Sequence, residues 1–204
     1  MVVGAQTPER DGIRAEVVRS VIGPDAYFAV DAFRSFKTLE NATERVNAIK
    51  NSDISFVEDP FLESEGVLAI ALREATGVPV SFGESLASSK MIAQILHYNQ
   101  VDVLRLDSLI VGGVGEFMHA ASLAHDKGVS VATHIHTEIH AQLAGAIPNL
   151  YAGGLEYLDP IKSIDLFHLL IENPIEIRNG NGILSNKPGF GIEWNWDAIR
   201  RFSL

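Results

Sequence analysis

Cysteine is absent from all 204 residues, which excludes a disulfide framework and any thiolate metal site and fits a reducing cytoplasm. Positive charge is scarce. Sixteen Lys and Arg stand against 26 Asp and Glu, for a net charge of −10, and the basic residues are scattered rather than gathered. A phosphate backbone demands a basic patch, so nucleic acid is excluded as the expected partner, and small molecules or cations are favoured. Long apolar runs are missing too: none approaches the roughly 20 residues that span a bilayer. The opening stretch, Met1 to Gly12, meets charge too early for a secretory signal. The expectation is a soluble, cytoplasmic protein with no membrane partner. No linker or low-complexity segment divides the chain, so one domain is the default.

What is present is an alternation. Short β-rich runs recur at Tyr27–Val30, Ile54–Val57, Val78–Phe82, Val101–Leu106, Val129–Ala132 and, more weakly, Gly153–Leu155. Helical spacing fills Leu39–Lys50, Gly66–Thr76, Ser88–Tyr98, Glu116–Lys127 and Glu138–Ile147 between them. Strand, helix, strand, helix implies right-handed crossovers and a parallel sheet, either doubly wound or closed into a (β/α) barrel. The residues that end the six runs decide between these: Asp31, Glu58, Glu84, Asp107, His134 and Glu156. A barrel gathers the C-terminal ends of its strands around one mouth, so six ionisable strand ends converge on one cavity. An open sheet spreads them in a line. The α/β barrel is therefore the expected fold.

Asp31, Glu58 and Glu84 are three hard oxygen donors on successive strands, the type that Mg²⁺ prefers, with Mn²⁺ the alternative. Three clustered carboxylates repel one another unless a cation joins them. Asp107 and His134 end the next two strands and can pair, the carboxylate fixing the imidazole tautomer and raising its basicity; that makes a general base. Glu156 can donate a hydrogen bond to an enolate oxygen if protonated, or else serve as the buried partner of a neighbouring lysine.

These positions also carry a family resemblance. Val30-Asp31, Val57-Glu58-Asp59-Pro60, Phe82-Gly83-Glu84, Asp107 with Gly112-Gly113, Thr133-His134 and Leu155-Glu156 follow one another in the order and spacing of the mandelate racemase subgroup of the enolase superfamily, and Lys187–Ile192 resembles its C-terminal segment. The resemblance covers nearly the whole chain. It implies that Asp31, Glu58 and Glu84 bind Mg²⁺, that Asp107 and His134 form the catalytic dyad, and that Glu156 helps stabilise an enediolate. The substrate is then a small carboxylate, a sugar acid or hydroxy acid, and the full-length form a homo-oligomer. Ile110, three after Asp107, stands where the muconate-lactonizing subgroup has lysine, which supports a histidine base.

Three departures from the family pattern matter. Val2 occupies the position of the second lysine in a Lys-x-Lys pair, and the first lysine falls before Met1. The α+β capping domain and the earliest barrel strands also fall outside these residues. The expectation is a barrel truncated at its N-terminal strands, with barrel units over about 1–160 and a segment 161–204 packing back on barrel or cap. Phe33 replaces the asparagine of a common Asp-x-Asn motif. Without a lysine opposite His134, a dehydratase is favoured over a racemase or epimerase, and an inactive truncated barrel is the remaining alternative.

Other features receive structural readings. His136 and His140, four apart, are assigned to a loop and a helix start rather than to zinc, since His134 and His136 alternate and only one of them faces the mouth. Gly112-Gly113 is read as close backbone packing before a helix. Asn41-Ala-Thr43 is read as a helix start. Trp194 and Trp196 are expected to alternate along a C-terminal strand.

Overall fold

The structure, a computed structural model, describes residues 1–62, 66–158 and 167–203. Five parallel strands pair in chain order: β1 (Val30–Asp31), β2 (Val57–Glu58), β3 (Val80–Phe82), β4 (Val103–Leu106) and β5 (Ser130–Thr133). Both edges continue. Val2 bridges Asp31 in parallel on one side, and Leu150 bridges Val131 on the other. The sheet is rolled, because residues from its opposite ends meet inside it: the Tyr151 ring sits edge-on to Tyr27 at 5.7 Å and to Phe56 at 5.5 Å. This is the (β/α) barrel architecture that the strand-end residues predicted.

Period-two alternation sorts the side chains. Val30, Val57, Val80, Phe82, Leu104, Leu106 and Val131 face outward and lie buried beneath the helices. Each such side chain contributes about 1.5–3 kcal/mol by leaving water. Phe56, Val103 and Ala132 face inward and fill the lower barrel with Tyr151. The helices that cover the sheet are α1 (Pro8–Ile22), α2 (Leu39–Ile49), α3 (Gly66–Thr76), α4 (Ser89–His97), α5 (Ser108–Val111), α6 (Val114–Asp126) and α7 (Thr137–Ala144). Thr38, Ser88 and Asp107 cap α2, α4 and α5 through their side-chain oxygens.

The sequence reading needs correcting in three places. Helix α1 was not foreseen; it packs on α2 through Gly12, whose missing Cβ would lie 2.8 Å from the Ala48 carbonyl oxygen. The expected C-terminal strand carrying Trp194 and Trp196 is instead an isolated bridge from Trp194 to Ile171 followed by helix α8 (Trp196–Phe202), which Asn195 caps. Gly112 and Gly113 serve by their positive φ, +114° and +100°, turning the chain between α5 and α6, and a Cβ on Gly113 would meet open space. The hairpin of β6 (Glu176–Arg178) and β7 (Asn181–Ile183) is followed by Ser185, whose carbonyl accepts a bond from Gln142 of α7 at 2.8 Å. The expected boundary near residue 160 lies outside the described residues.

Candidate active site

Every residue that the sequence placed at a strand end reaches the same end of the barrel, although the expected run Gly153–Leu155 before Glu156 forms no strand and the sheet continues there only through the bridge at Leu150. Asp31 and Glu58 are register partners, and Glu58 pairs with Ser81 on β3. Glu84 follows two residues after β3, across Gly83. That glycine has φ +131°, and a Cβ there would lie 2.7 Å from the Arg105 carbonyl oxygen, so only glycine lets the chain press against β4 and deliver Glu84 to the mouth. Asp107 and His134 each follow directly after their strands.

Asp107 performs two tasks with its two oxygens. Oδ1 accepts the Leu109 N–H at 2.8 Å and caps α5, while Oδ2 lies 2.9 Å from His134 Nδ1. The carboxylate can only accept, so the proton belongs on Nδ1. Nε2 is then left toward the mouth, 3.5 Å from Glu84 Oε2. Burial pulls the His134 pKa down, but the Asp107 hydrogen bond and the Glu84 charge outweigh it, and the net direction is upward. Burial likewise raises Asp107, yet its bonds to His134 and Leu109 bring it below the usual value.

The acidic side behaves differently. Burial raises Glu58 to about 7, with the charges of Asp31, Glu84 and Glu156 adding to the rise against the pull of Arg105. Asp31 is also raised, chiefly by burial, with Glu84 contributing. A donor set of desolvated carboxylates that penalise one another's ionisation suits a hard divalent cation. The three are not gathered into a finished cage. Among the described residues no three His, Asp or Glu side chains stand in metal-holding geometry.

Two arginines that sequence reasoning missed account for this arrangement. Arg105 is 6% exposed, and its Nε lies 2.6 Å from Glu58 Oε1; its Nη2 donates to Glu156 Oε2 at 2.7 Å and its Nη1 to the Thr133 carbonyl at 2.6 Å. Arg34 reaches Asp59 at 2.7 Å, Glu84 at 3.2 Å and Ser85 Oγ at 2.7 Å. Period-two counting back from Asp107 puts Arg105 inside the barrel, a signal the sequence did contain. Glu156 Oε2 also accepts the Ile135 N–H at 2.7 Å, so in this geometry Glu156 acts as an acceptor with Arg105 as its cation. Phe33, 74% exposed with φ +52°, donates its N–H to Asp31 Oδ1 at 2.8 Å.

The loop and helix-start histidines divide. His136 takes the left-handed N-cap position of α7, whereas His140 is fully buried behind the dyad. Val2, in register with Asp31, shares its face of the sheet and stands far around the ring from His134, with the four strands β1 to β4 between its bridge and β5, which His134 follows.

A rolled parallel sheet with carboxylates, a His–Asp pair and a buried arginine around its C-terminal mouth defines a barrel of the enolase type. The chain belongs to the enolase C-terminal domain-like family, whose model matches residues 1–198. Among its relatives, arabinonate dehydratase from Saccharolobus solfataricus is 27% identical over 93% of this chain and 50% of its own length. N-succinyl-L-Arg/Lys racemase from Bacillus cereus is 26% identical over 100% of this chain and 55% of its own length. An enolase from Bradyrhizobium, crystallised with magnesium and mandelic acid, superposes with a TM-score of 0.89 at 22% identity, over 100% of this chain and 54% of that one. The chain thus spans about half the length of the relatives it matches.

Proposed function

We propose that this chain forms the barrel half of a Mg²⁺-dependent dehydratase that removes the proton α to the carboxylate of a sugar acid or hydroxy acid and expels the neighbouring hydroxyl. One observation carries the reading: His134 holds its Nδ1 2.9 Å from Asp107, which leaves Nε2 facing the mouth beside the acidic side. Asp31, Glu58 and Glu84 are the residues that would hold the metal. Bound there, Mg²⁺ supplies positive charge next to the substrate carboxylate and makes the adjacent C–H more acidic.

The chain's own groups then do the proton work. His134 Nε2 takes the α-proton, and Asp107 stabilises the imidazolium that results. The C–H electron pair forms the new double bond as the β-hydroxyl leaves with the proton returned by His134, and the enol product tautomerises to a 2-keto acid. Val2 offers no base from across the ring, which favours elimination over inversion at the α-carbon. Similarity to an acid-sugar dehydratase points the same way, while similarity to a racemase keeps epimerisation as the reading to beat.

The test is incubation with Mg²⁺ and a panel of aldonic and aldaric acids, arabinonate among them, in deuterated water. The expected result is a keto acid trapped by semicarbazide. Deuterium at the α-carbon of recovered, inverted substrate without any keto acid would overturn the dehydratase assignment.

A further inference from the structure

His140 takes no part in the chemistry just described, yet it is 0% exposed and every polar atom of its ring is engaged. Nδ1 lies 2.7 Å from the Ile135 carbonyl oxygen, and Nε2 lies 2.9 Å from the Ser108 amide nitrogen and 3.0 Å from Ser108 Oγ. Its face stacks on Phe117, centroids 5.9 Å apart. A backbone carbonyl only accepts, and a backbone N–H only donates. The ring must therefore carry its proton on Nδ1 and keep Nε2 as the acceptor; a second proton would set Nε2 head-on against the Ser108 N–H. Burial favours the same neutral form.

The two residues bridged are not arbitrary. Ser108 is the residue after Asp107, and Ile135 is the residue after His134. One ring thus ties together the two loops that present the dyad. The tie also explains a backbone anomaly, since Ile135 and His136 have φ +38° and +44°, a region that a β-branched residue avoids. The Ile135 peptide is held on both sides: its N–H donates to Glu156 Oε2 at 2.7 Å and its C=O accepts from His140.

We propose that His140 is a positioning residue, a neutral cross-brace that fixes the approach of His134 to Asp107. The proposal deepens the reading of His134 as the base and rests on it for its functional meaning, but its structural claim can be tested without turnover.

In wild-type protein labelled with ¹⁵N-histidine, His140 is expected as the neutral Nδ1–H tautomer, and the His134 Nδ1–H proton as a downfield resonance sheltered from solvent exchange by Asp107. His140→Phe keeps an aromatic ring but removes the bonds to both loops; the sheltered resonance should disappear. His140→Asn sets an amide where Nδ1 stood and keeps the bond to Ile135 but not those to Ser108, so it should restore the resonance only in part; being smaller, this variant also serves if the phenylalanine variant fails to fold, its resonance then expected to be weaker than in wild type. On a substrate found by the panel above, His140→Phe should lower kcat by about a hundredfold, the cost of misplacing a reacting group by ~1 Å, with KM within a few-fold of wild type. A wild-type His140 found as the Nε2–H tautomer, or a sheltered His134 resonance that survives in His140→Phe, overturns the brace. Lack of any keto acid from wild type across the panel, with the resonances as expected, refutes the dehydratase reading alone and leaves the cross-brace supported as a structural device.

Discussion

The two sides of the barrel mouth hold their charge in different ways. From β1 to β3, the partly buried Asp31 and Glu58 feel one another's charge, and the cations that meet this side are Arg34 from the loop after β1 and Arg105 from inside β4. From β4 onward, partners come from the same side of the mouth. Asp107 has His134 and the Leu109 N–H, His140 has Ser108 and Ile135, and Glu156 has the Ile135 N–H. One side is organised by cations and the other by hydrogen bonds within the protein, which fits the proposed proton transfer at His134, since such a group gains from avoiding reorganisation during reaction. A cation side and a proton side, set across one cavity, match the two requirements of deprotonation next to a carboxylate.

Breaking the proton side should have the largest effect. His134→Asn is expected to lower the rate of keto-acid formation from the substrate identified by the panel by roughly 10²–10⁴-fold, with the melting temperature little changed. A rate within a few-fold of wild type would mean that the proton goes elsewhere. Arg105→Met attacks the join between the sides. It strands the Glu58 and Glu156 carboxylates, side chains 14% and 29% exposed, without their shared cation. Removing one partner of a buried ion pair costs about 3–5 kcal/mol, to be read from urea unfolding of metal-free protein, with added Mg²⁺ recovering part of the loss. A loss below about 1 kcal/mol, the range of exposed pairs, would show that Arg105 does not organise the acidic side.

The strand ends were legible because the barrel turns a one-dimensional spacing into a ring, and each acid or imidazole follows a recognisable β-rich run. Arg105 was legible in principle, through alternation from Asp107, but a lone arginine inside a strand otherwise made of valine and leucine carries no motif. Helix α1 was hidden for a different reason. Its buried face is Asp11, Gly12 and Ala15, while Ile13, Val17 and Val21 face outward, so hydrophobic periodicity points the wrong way. Asp11 is instead satisfied by the Gly4 N–H and Arg14, which only the folded chain brings to it. The role of His140 was unreadable, because its partners lie 32 residues away at Ser108 and on the carbonyl of a strained isoleucine. A sequence pattern reports which side chains are apolar or charged; it does not report which backbone atoms they meet.

Two smaller effects sharpen the comparison. Asp31→Asn should weaken Mg²⁺ binding by about tenfold, since affinity for a hard cation follows the count of charged ligands. Calorimetric titration measures it, and the sheltered His134 resonance should be unmoved, because Asp31 belongs to the cation side. A variant that loses both together would show that the sides are not separable.

The smallest effect concerns acid. Burial lowers the pKa of His140 in the folded protein below the value of about 6.5 that it has when exposed. A group depressed by folding contributes stability that is complete above its unfolded pKa and is lost as pH falls through the folded value, because the unfolded chain takes up the proton first. The wild-type melting temperature should therefore decline as pH drops below about 6.5, and His140→Asn, which has no proton to gain there, should decline less steeply. Asp107, His134 and His136 bear on His140 electrostatically and are present in both proteins, so the difference between the two slopes isolates His140 itself. A domain of this size moves by about 2–4 °C per kcal/mol, which makes even a modest protonation penalty visible by calorimetry between pH 7 and 5. Parallel slopes would mean that the ring accepts a proton in place, and that a neutral imidazole is not what holds the two loops of the proton side together.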